Sequence, residues 1–390
     1  MNTEFQTSAE KKTAARYSLI EMASRMSDVI LLGRGDPDFD TPAPIIEDAL
    51  RLMDGSLERT SVRGLEQLRS AIADRYERDK GLVVDPEKEI LMTNGAQEGL
   101  FLALLALVNP GDGVLMADPR YSSYDQAVNA AGGRLVLVPT GSNYDFTLKP
   151  DEILKRADRG SVLVFVNPSN PTGAMVPPEG VRAIADVARR AGLSVVADEI
   201  YEGLVFDGVE ACSLATCEGM RNNTVTLSGF SKTYAMTGFR VGFLIGPPSF
   251  IEAAASLKAA ISGPGPLLPQ CAALAALKGT QESVDMFRQT FNRRRHLMMQ
   301  GLDDLKIPYG HPGGGFFVWA DISRFGIPAG EFCRRLLSEA GVLMFPGTSF
   351  GTPWEYYVRI SLLQPEEKIT EALTRLKNFL ESTSARGTFK

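Results

Sequence analysis

Lys232 and Arg240 stand eight residues apart in the run SGFSKTYAMTGFRVG, directly after the apolar stretch Thr224 to Leu227. In an open α/β sheet ligands gather where strands end and loops begin, so the residues that follow each apolar run matter most. After Glu89 to Met92 come Asn94, Gly95, Ala96 and Gln97 and then a helical pattern, which aims the backbone amides of residues 95–97 at an anion such as phosphate. After Val114 to Ala117 come Arg120 and Tyr121, and after Val162 to Val166 comes NPSNPTG with Asn170. Leu193 to Ala197 is followed by Asp198 and Tyr201, and Thr224 to Leu227 by Ser231 and Lys232. One site would then hold an amine, an amide nest, a carboxylate, a phenol, a stacking ring and a guanidinium.

Those groups meet the needs of pyridoxal 5′-phosphate: an amine for a Schiff base, an acid facing the ring nitrogen, a phosphate cradle, a ring to stack on, and donors to the phenolic oxygen. No other common cofactor asks for that set. From about Leu31 to the C-terminal part, the sequence also resembles the class I/II aminotransferases of pyridoxal-phosphate fold type I, those like aspartate aminotransferase. The lysine run, NPSNPTG and ADEIY carry the resemblance in their order and spacing, and GRGDPDFDTP, PRYSSY and YVRIS fall where the family's pattern expects them.

The resemblance implies roles. Lys232 would form the Schiff base and carry the substrate proton, Asp198 would face the pyridine nitrogen, and Asn170 and Tyr201 would donate to the phenolic oxygen, with Lys232, Asp198 and Tyr201 as the catalytic set. Tyr121 would stack on the ring. Arg240, the Ser231 hydroxyl and the amides at Gly95, Ala96 and Gln97 would bind phosphate. Arg359 would take the substrate α-carboxylate as a planar bidentate pair, assisted by Asn170 and the Gly35 backbone. Two positions depart from the family: Arg59, with Arg63 as the alternative, replaces a tyrosine that crosses a dimer interface to the partner's phosphate. Gly229 replaces a serine three before the lysine, so that Ser228 or Ser231 would supply that contact.

Activity follows from the same resemblance. It implies a ping-pong aminotransferase moving the amino group of an L-amino acid, aspartate foremost, to a 2-oxo acid such as 2-oxoglutarate, in a homodimer with shared active sites. A β/γ-lyase of the same fold and a catalytically silent regulator are the alternatives. Arg34, Arg59, Arg63 and Arg120 are candidates to read a distal carboxylate.

The elements that must position these residues alternate between short apolar runs and helical patterns such as Gln97 to Leu107 and Glu179 to Ala191, which reads as an α/β, mostly parallel buried sheet. Leu68, Ile72 and Tyr76 recur four apart in a helix over 66–79, and another long helix spans 283–305. FFVWADI and YYVRISL suggest a smaller α+β unit. The resemblance implies a seven-stranded sheet, with a large cofactor-binding domain at 46–280 and a small domain from 1–45, including an N-terminal arm, and 281–390. Only the tail after Leu380 reads as loose.

Composition sets the outer bounds. The 390 residues carry 41 Lys and Arg against 47 Asp and Glu, a formal charge of −6, which disfavours a nucleic-acid partner. Four cysteines fit no metal or disulfide spacing and read as reduced core thiols. The longest apolar run, Leu100 to Val108, is short of a membrane span, and the N-terminus lacks an apolar signal core, so a cytoplasmic location is expected. Three look-alikes fail. Gly347-Thr-Ser349-Phe-Gly351 spells a hydrolase elbow without any histidine after the serine. Asp36, Asp38 and Asp40 lack a calcium loop's glycine, and Gly33-Arg-Gly35 lacks a dinucleotide fingerprint's third glycine.

Overall fold

The computed structural model describes residues 10–53 and 60–385. Its strands are β1 (Ile30–Leu31), β2 (Ile90–Thr93), β3 (Gly113–Asp118), β4 (Arg134–Pro139), β5 (Val162–Val166), β6 (Ser194–Asp198), β7 (Thr224–Gly229) and β8 (Gly242–Ile245). They continue with β9 (Phe317–Asp321), β10 (Val342–Leu343), β11 (Phe345–Pro346) and β12 (Tyr357–Ser361). The helices are α1 (Glu10–Ser24), α2 (Ala43–Met53), α3 (Glu66–Lys80), α4 (Gly95–Leu107), α5 (Ser122–Ala130) and α6 (Pro150–Leu154). After them come α7 (Pro178–Arg190), α8 (Pro248–Ile261), α9 (Leu267–Lys278), α10 (Glu282–Asp304), α11 (Ala329–Ala340) and α12 (Glu366–Ala385).

The large sheet has the order β2-β8-β7-β6-β5-β3-β4, with β8 antiparallel to both neighbours and every other pair parallel. Its strands are continuous apolar runs because helices cover both faces, so successive side chains enter different cores. Ile90 and Met92 pack with Leu68, Ile72 and Tyr76 of α3 and with α9, whereas Leu91 between them joins α4 and α8. Likewise Leu163 and Phe165 meet α7 while Val162 and Val164 face the other way.

The six apolar runs all form strands, and the seventh, β4, escapes the reading because it is an edge strand with Arg134, Leu137 and Pro139 exposed and no chemical motif after it. The tail expected to loosen after Leu380 instead continues as helix to Ala385. Of the cysteines expected in the core, Cys271 and Cys333 are buried, but Cys212 and Cys217 are only half-buried. Among the described residues no helix is long and apolar enough to cross a membrane.

A second core joins the two ends of the chain. Leu19, Ala23, Ile30 and Leu32 pack with Trp319, Leu336, Val342 and Leu376, β1 pairs in parallel with β10, and β11, β12 and β9 form an antiparallel sheet. The carboxyl ends of β2, β3, β5, β6 and β7 share one rim. Because β8 runs in reverse, Arg240, two residues before it, reaches that same rim.

Candidate active site

Along the rim lies a cavity of about 900 Å³, walled by the strand ends on one side and by α1, Leu343 and Phe345 on the other. Of the residues singled out from the sequence, Gly35, Ala96, Gln97, Tyr121, Asn170, Asp198, Tyr201, Ser231, Lys232, Arg240 and Arg359 all line it. Gly95 sits behind the wall, and Arg59 lies outside the described residues.

The anion cradle is built from backbone and one cation. The helix α4 starts at Gly95 with no side-chain cap, which leaves its first amides toward the cavity. Gly95 adopts φ +79°, and a Cβ there would lie 2.5 Å from Arg240 Nη2, so the guanidinium packs where any other residue would carry a side chain. Arg240 itself takes a left-handed conformation, φ 55°, which a non-glycine residue adopts at an energetic cost of about 1 kcal/mol or more. Ser231 completes this corner. Ser228 does not, since its hydroxyl donates to Glu202 Oε1 at 3.3 Å on the far side of the loop. At the neighbouring Gly229 a Cβ would come within 3.1 Å of the β8 backbone, so strand packing explains why no serine stands there.

Lys232 follows β7 and points into the cavity, with Nζ 2.9 Å from the Gly35 carbonyl and 3.0 Å from Asp36 Oδ1. Asp198, at the end of β6, is buried; its Oδ1 accepts from the Ile200 amide at 3.0 Å and its Oδ2 from the Tyr124 hydroxyl at 2.7 Å. Burial pushes this carboxyl up to about 6, with the Tyr124 hydrogen bond working in the opposite direction. Tyr124 was missed from sequence although PRYSSY contains it; its place in the first turn of α5, three residues after the N-cap Tyr121, is the available signal.

Arg359 on β12 is 3% exposed and donates to Asn170 Oδ1 at 3.0 Å and to the Gly33 carbonyl at 2.8 Å. Its guanidinium lies between the rings of Phe317, 4.2 Å away, and Phe350, 4.6 Å away, and Nε has no partner. Burial pulls this cation down to about 9. A buried arginine without a counter-anion is costly, and its free donors mark where one belongs. Asn170 gives its oxygen to Arg359 and its amide to the Tyr201 hydroxyl, which links the two at the cavity wall. Tyr201 lies beside both, its hydroxyl driven up by burial and its ring edge-on to Phe316 at 5.4 Å.

The arginines proposed to read a distal carboxylate separate clearly. Arg63 pairs with Glu252, and Arg120 is buried against Asp125 and Asp118, so neither is available. Arg34 lines the cavity. So does Arg16 on α1, which sequence reading missed because nothing local to α1 says where that helix docks. Arg16 lies 5.9 Å from the Tyr121 ring and 5.8 Å from the Phe345 ring, with no carboxylate on it among the described residues. The look-alike motifs have structural uses: Asp38 holds Arg294 at 2.7 and 2.9 Å, and the Gly33 carbonyl holds Arg359.

An amine facing a buried acid across a cavity that has an amide-and-guanidinium cradle at one end and an unpaired arginine at the other defines a pyridoxal-phosphate enzyme acting on an amino or oxo acid. Comparison with known proteins narrows this. The model of the family "Aminotransferase class I and II" matches residues 27–376. An aspartate aminotransferase from Pyrococcus abyssi is 37% identical over 366 residues, covering 93% of this chain and 94% of that one. An aromatic-amino-acid aminotransferase 2 from Thermococcus litoralis is 35% identical with the same coverage. A solved structure described as Pyrococcus protein-A1 superposes with a TM-score of 0.91 at 36% identity, covering 95% of this chain and 96% of that chain. The chain belongs to the class I and II aminotransferases and is a pyridoxal-phosphate-dependent transaminase of fold type I.

Proposed function

We propose that this aminotransferase acts on dicarboxylic amino acids, with aspartate as the favoured donor and 2-oxoglutarate as a suitable acceptor. The observation that carries the reading is a pair of cavity-lining guanidiniums, Arg359 and Arg16, 5.6 and 5.8 Å from the Phe345 ring and without a carboxylate on either among the described residues. A diacid would occupy both, its α-carboxylate forking onto Arg359. The name of the Pyrococcus abyssi relative agrees with this preference.

The residues divide the work by position. Arg240, Ser231 and the amides of residues 95–97 would hold the phosphate of pyridoxal phosphate, Tyr121 would cover its ring, and Asn170 and Tyr201 would donate to its phenolic oxygen. Asp198 would face the ring nitrogen and keep it protonated. Bound pyridoxal phosphate supplies an electron sink for the charge left on the substrate when its Cα proton departs. Lys232 takes that proton, and Arg359 fixes the substrate so that the Cα–H bond faces the lysine. Phe317 and Phe350, stacked on Arg359, keep water from competing for its donors.

We further propose a large domain at 46–280 and a small one from the remaining ends, a cytoplasmic location, and a homodimer. Exposed Ile46, Leu50 and Leu52 on α2, beside exposed Leu268 on α9, form an apolar surface suited to a second copy. The reading is tested by adding aspartate, glutamate, alanine or phenylalanine to the holoenzyme without any oxo acid. Aspartate should convert the bound cofactor to its amino form fastest, 2-oxoglutarate should restore it, and Lys232→Ala should stay folded while losing at least ~10⁴-fold in turnover. A tenfold preference for alanine or phenylalanine would reject the dicarboxylate assignment.

A further inference from the structure

Behind the anion cradle lies a buried ion pair that takes no part in lining the cavity. Lys258 on α8 is 1% exposed, the most deeply buried lysine among the described residues. Its Nζ lies 3.1 Å from Glu98 Oε2 and donates to the Ser262 hydroxyl at 3.1 Å, and that hydroxyl in turn donates to Glu98 Oε1 at 2.5 Å. Glu98 stands in the first turn of α4, immediately after the residues whose amides open the cradle, and neither it nor Lys258 lines the cavity. Its carboxylate reaches back over that turn: Oε2 accepts from the Asn94 backbone amide at 2.6 Å and Oε1 from the Asn94 side-chain amide at 3.0 Å. From the β2 side the Thr93 hydroxyl donates to the Gly95 carbonyl at 3.0 Å. The turn is therefore clamped at both ends while the amides of residues 95–97 are left toward the cavity.

The carboxylate that steadies the cradle also works against it, because an anion within the first turn competes for the helix dipole and repels a phosphate placed at the amides. Burial opposes the charge on Glu98, but the Ser262 hydroxyl, the Asn94 amide and Lys258 together hold its carboxyl below the ordinary value, so it is ionised at neutral pH. We propose, on the assignment of Arg240 and the 95–97 amides to the cofactor phosphate, that Lys258 is a positioning residue that sets the affinity of the cradle for that phosphate by cancelling the charge of Glu98. Glu98 holds the shape of the turn. Lys258 leaves the turn electrically neutral, so that Arg240 and the helix N-terminus present a net positive field to the cavity. Shape and charge are thus carried by different side chains, and substitution can separate them.

The test titrates the full-length protein, stripped of cofactor, with pyridoxal phosphate, with pyridoxal and with inorganic phosphate, and follows the fold of each variant by circular dichroism. Lys258→Met, which leaves the Glu98 charge bare, should bind pyridoxal phosphate and inorganic phosphate about tenfold or more weakly, with pyridoxal unchanged. Glu98→Gln, which keeps an oxygen for the Asn94 amide, should bind both phosphates at least as tightly as wild type, and the Glu98→Gln/Lys258→Met double variant should return to within about threefold of it. Where Lys258→Met does not fold, Lys258→Gln, which retains a donor for Ser262, carries the same comparison. Equal losses in the two single variants with no recovery in the double would mean that the pair only holds the fold and would overturn the proposal, as would unchanged phosphate affinity in Lys258→Met or an equal loss for pyridoxal. Arg240→Met controls the cradle: if it binds phosphate as tightly as wild type, the cradle is misassigned and the proposal falls with it, whereas a loss in Arg240→Met without one in Lys258→Met removes the proposal alone.

Discussion

Two charged regions flank the same short segment, Asp198 to Glu202, and they are built on opposite principles. On the side away from the cavity, Lys80 Nζ lies 2.6 Å from Glu199 and also binds Glu202, Arg75 reaches Glu202 at 3.1 Å, and Ser228 adds a hydrogen bond to Glu202. Every ion there answers another from the chain itself. On the cavity side Arg359 and Arg16 have no carboxylate among the described residues, and Lys232 meets only an exposed Asp36. The first region closes upon itself and contributes to stability and position; the second is complete only when a small anion enters.

That contrast can be broken most severely from the closed side. Lys80→Met should lower the unfolding free energy by about 3–5 kcal/mol, because it strands the buried Glu199 carboxylate and leaves Glu202 to Arg75 alone, while the KM for amino acid in the surviving folded fraction stays within threefold; urea unfolding with parallel kinetics checks both halves. On the open side, Arg359→Ala should raise the KM for aspartate by ~10²–10³, equivalent to about 3–4 kcal/mol, with little loss of stability. Equal stability losses in the two variants would erase the distinction.

Asp198 sits where the two regions meet, and its carboxyl is raised from 3.8 to about 6. Between those values the folded apoprotein binds more protons than the unfolded chain, so stability falls as pH rises through that window and the penalty is complete above it. Asp198→Asn apoprotein should therefore be about 1–3 kcal/mol more stable than wild type at pH 7 and indistinguishable near pH 3.5, yet release pyridoxal phosphate more readily. Denaturation curves at the two pH values, with and without cofactor, decide it. The smallest expected effect is at the cavity mouth: Arg16→Met should cost about tenfold in kcat/KM for aspartate, ~1.4 kcal/mol, with alanine unaffected.

Much of this was legible before any coordinates because the chemistry follows the strands. Asp198, Asn170 and Lys232 each occupy the first turns after an apolar run, and a parallel sheet brings such positions to one rim whatever the loop details. The paired region was not legible, since Lys80, Arg75, Glu199 and Glu202 look like ordinary surface charges until the fold brings α3 against the β6 loop. Arg16 was missed for a similar reason: its place depends on helix α1 docking against elements from the other end of the chain. Arg120 showed the converse error, being close to Tyr121 in sequence but committed to Asp118 and Asp125 in space.

The pairing of β1 with β10 also sets an order of assembly on the ribosome. The whole seven-stranded sheet is synthesised before Val342 and Leu343 emerge to receive Ile30 and Leu31, and Ser361, whose amide donates to the Leu32 carbonyl at 2.8 Å, emerges later still. The nascent chain can therefore fold its cofactor-holding sheet while its first segment waits without a partner. The wall that carries Arg16 and the Gly33 support for Arg359 close last, so substrate selectivity is the final property the protein acquires during its synthesis.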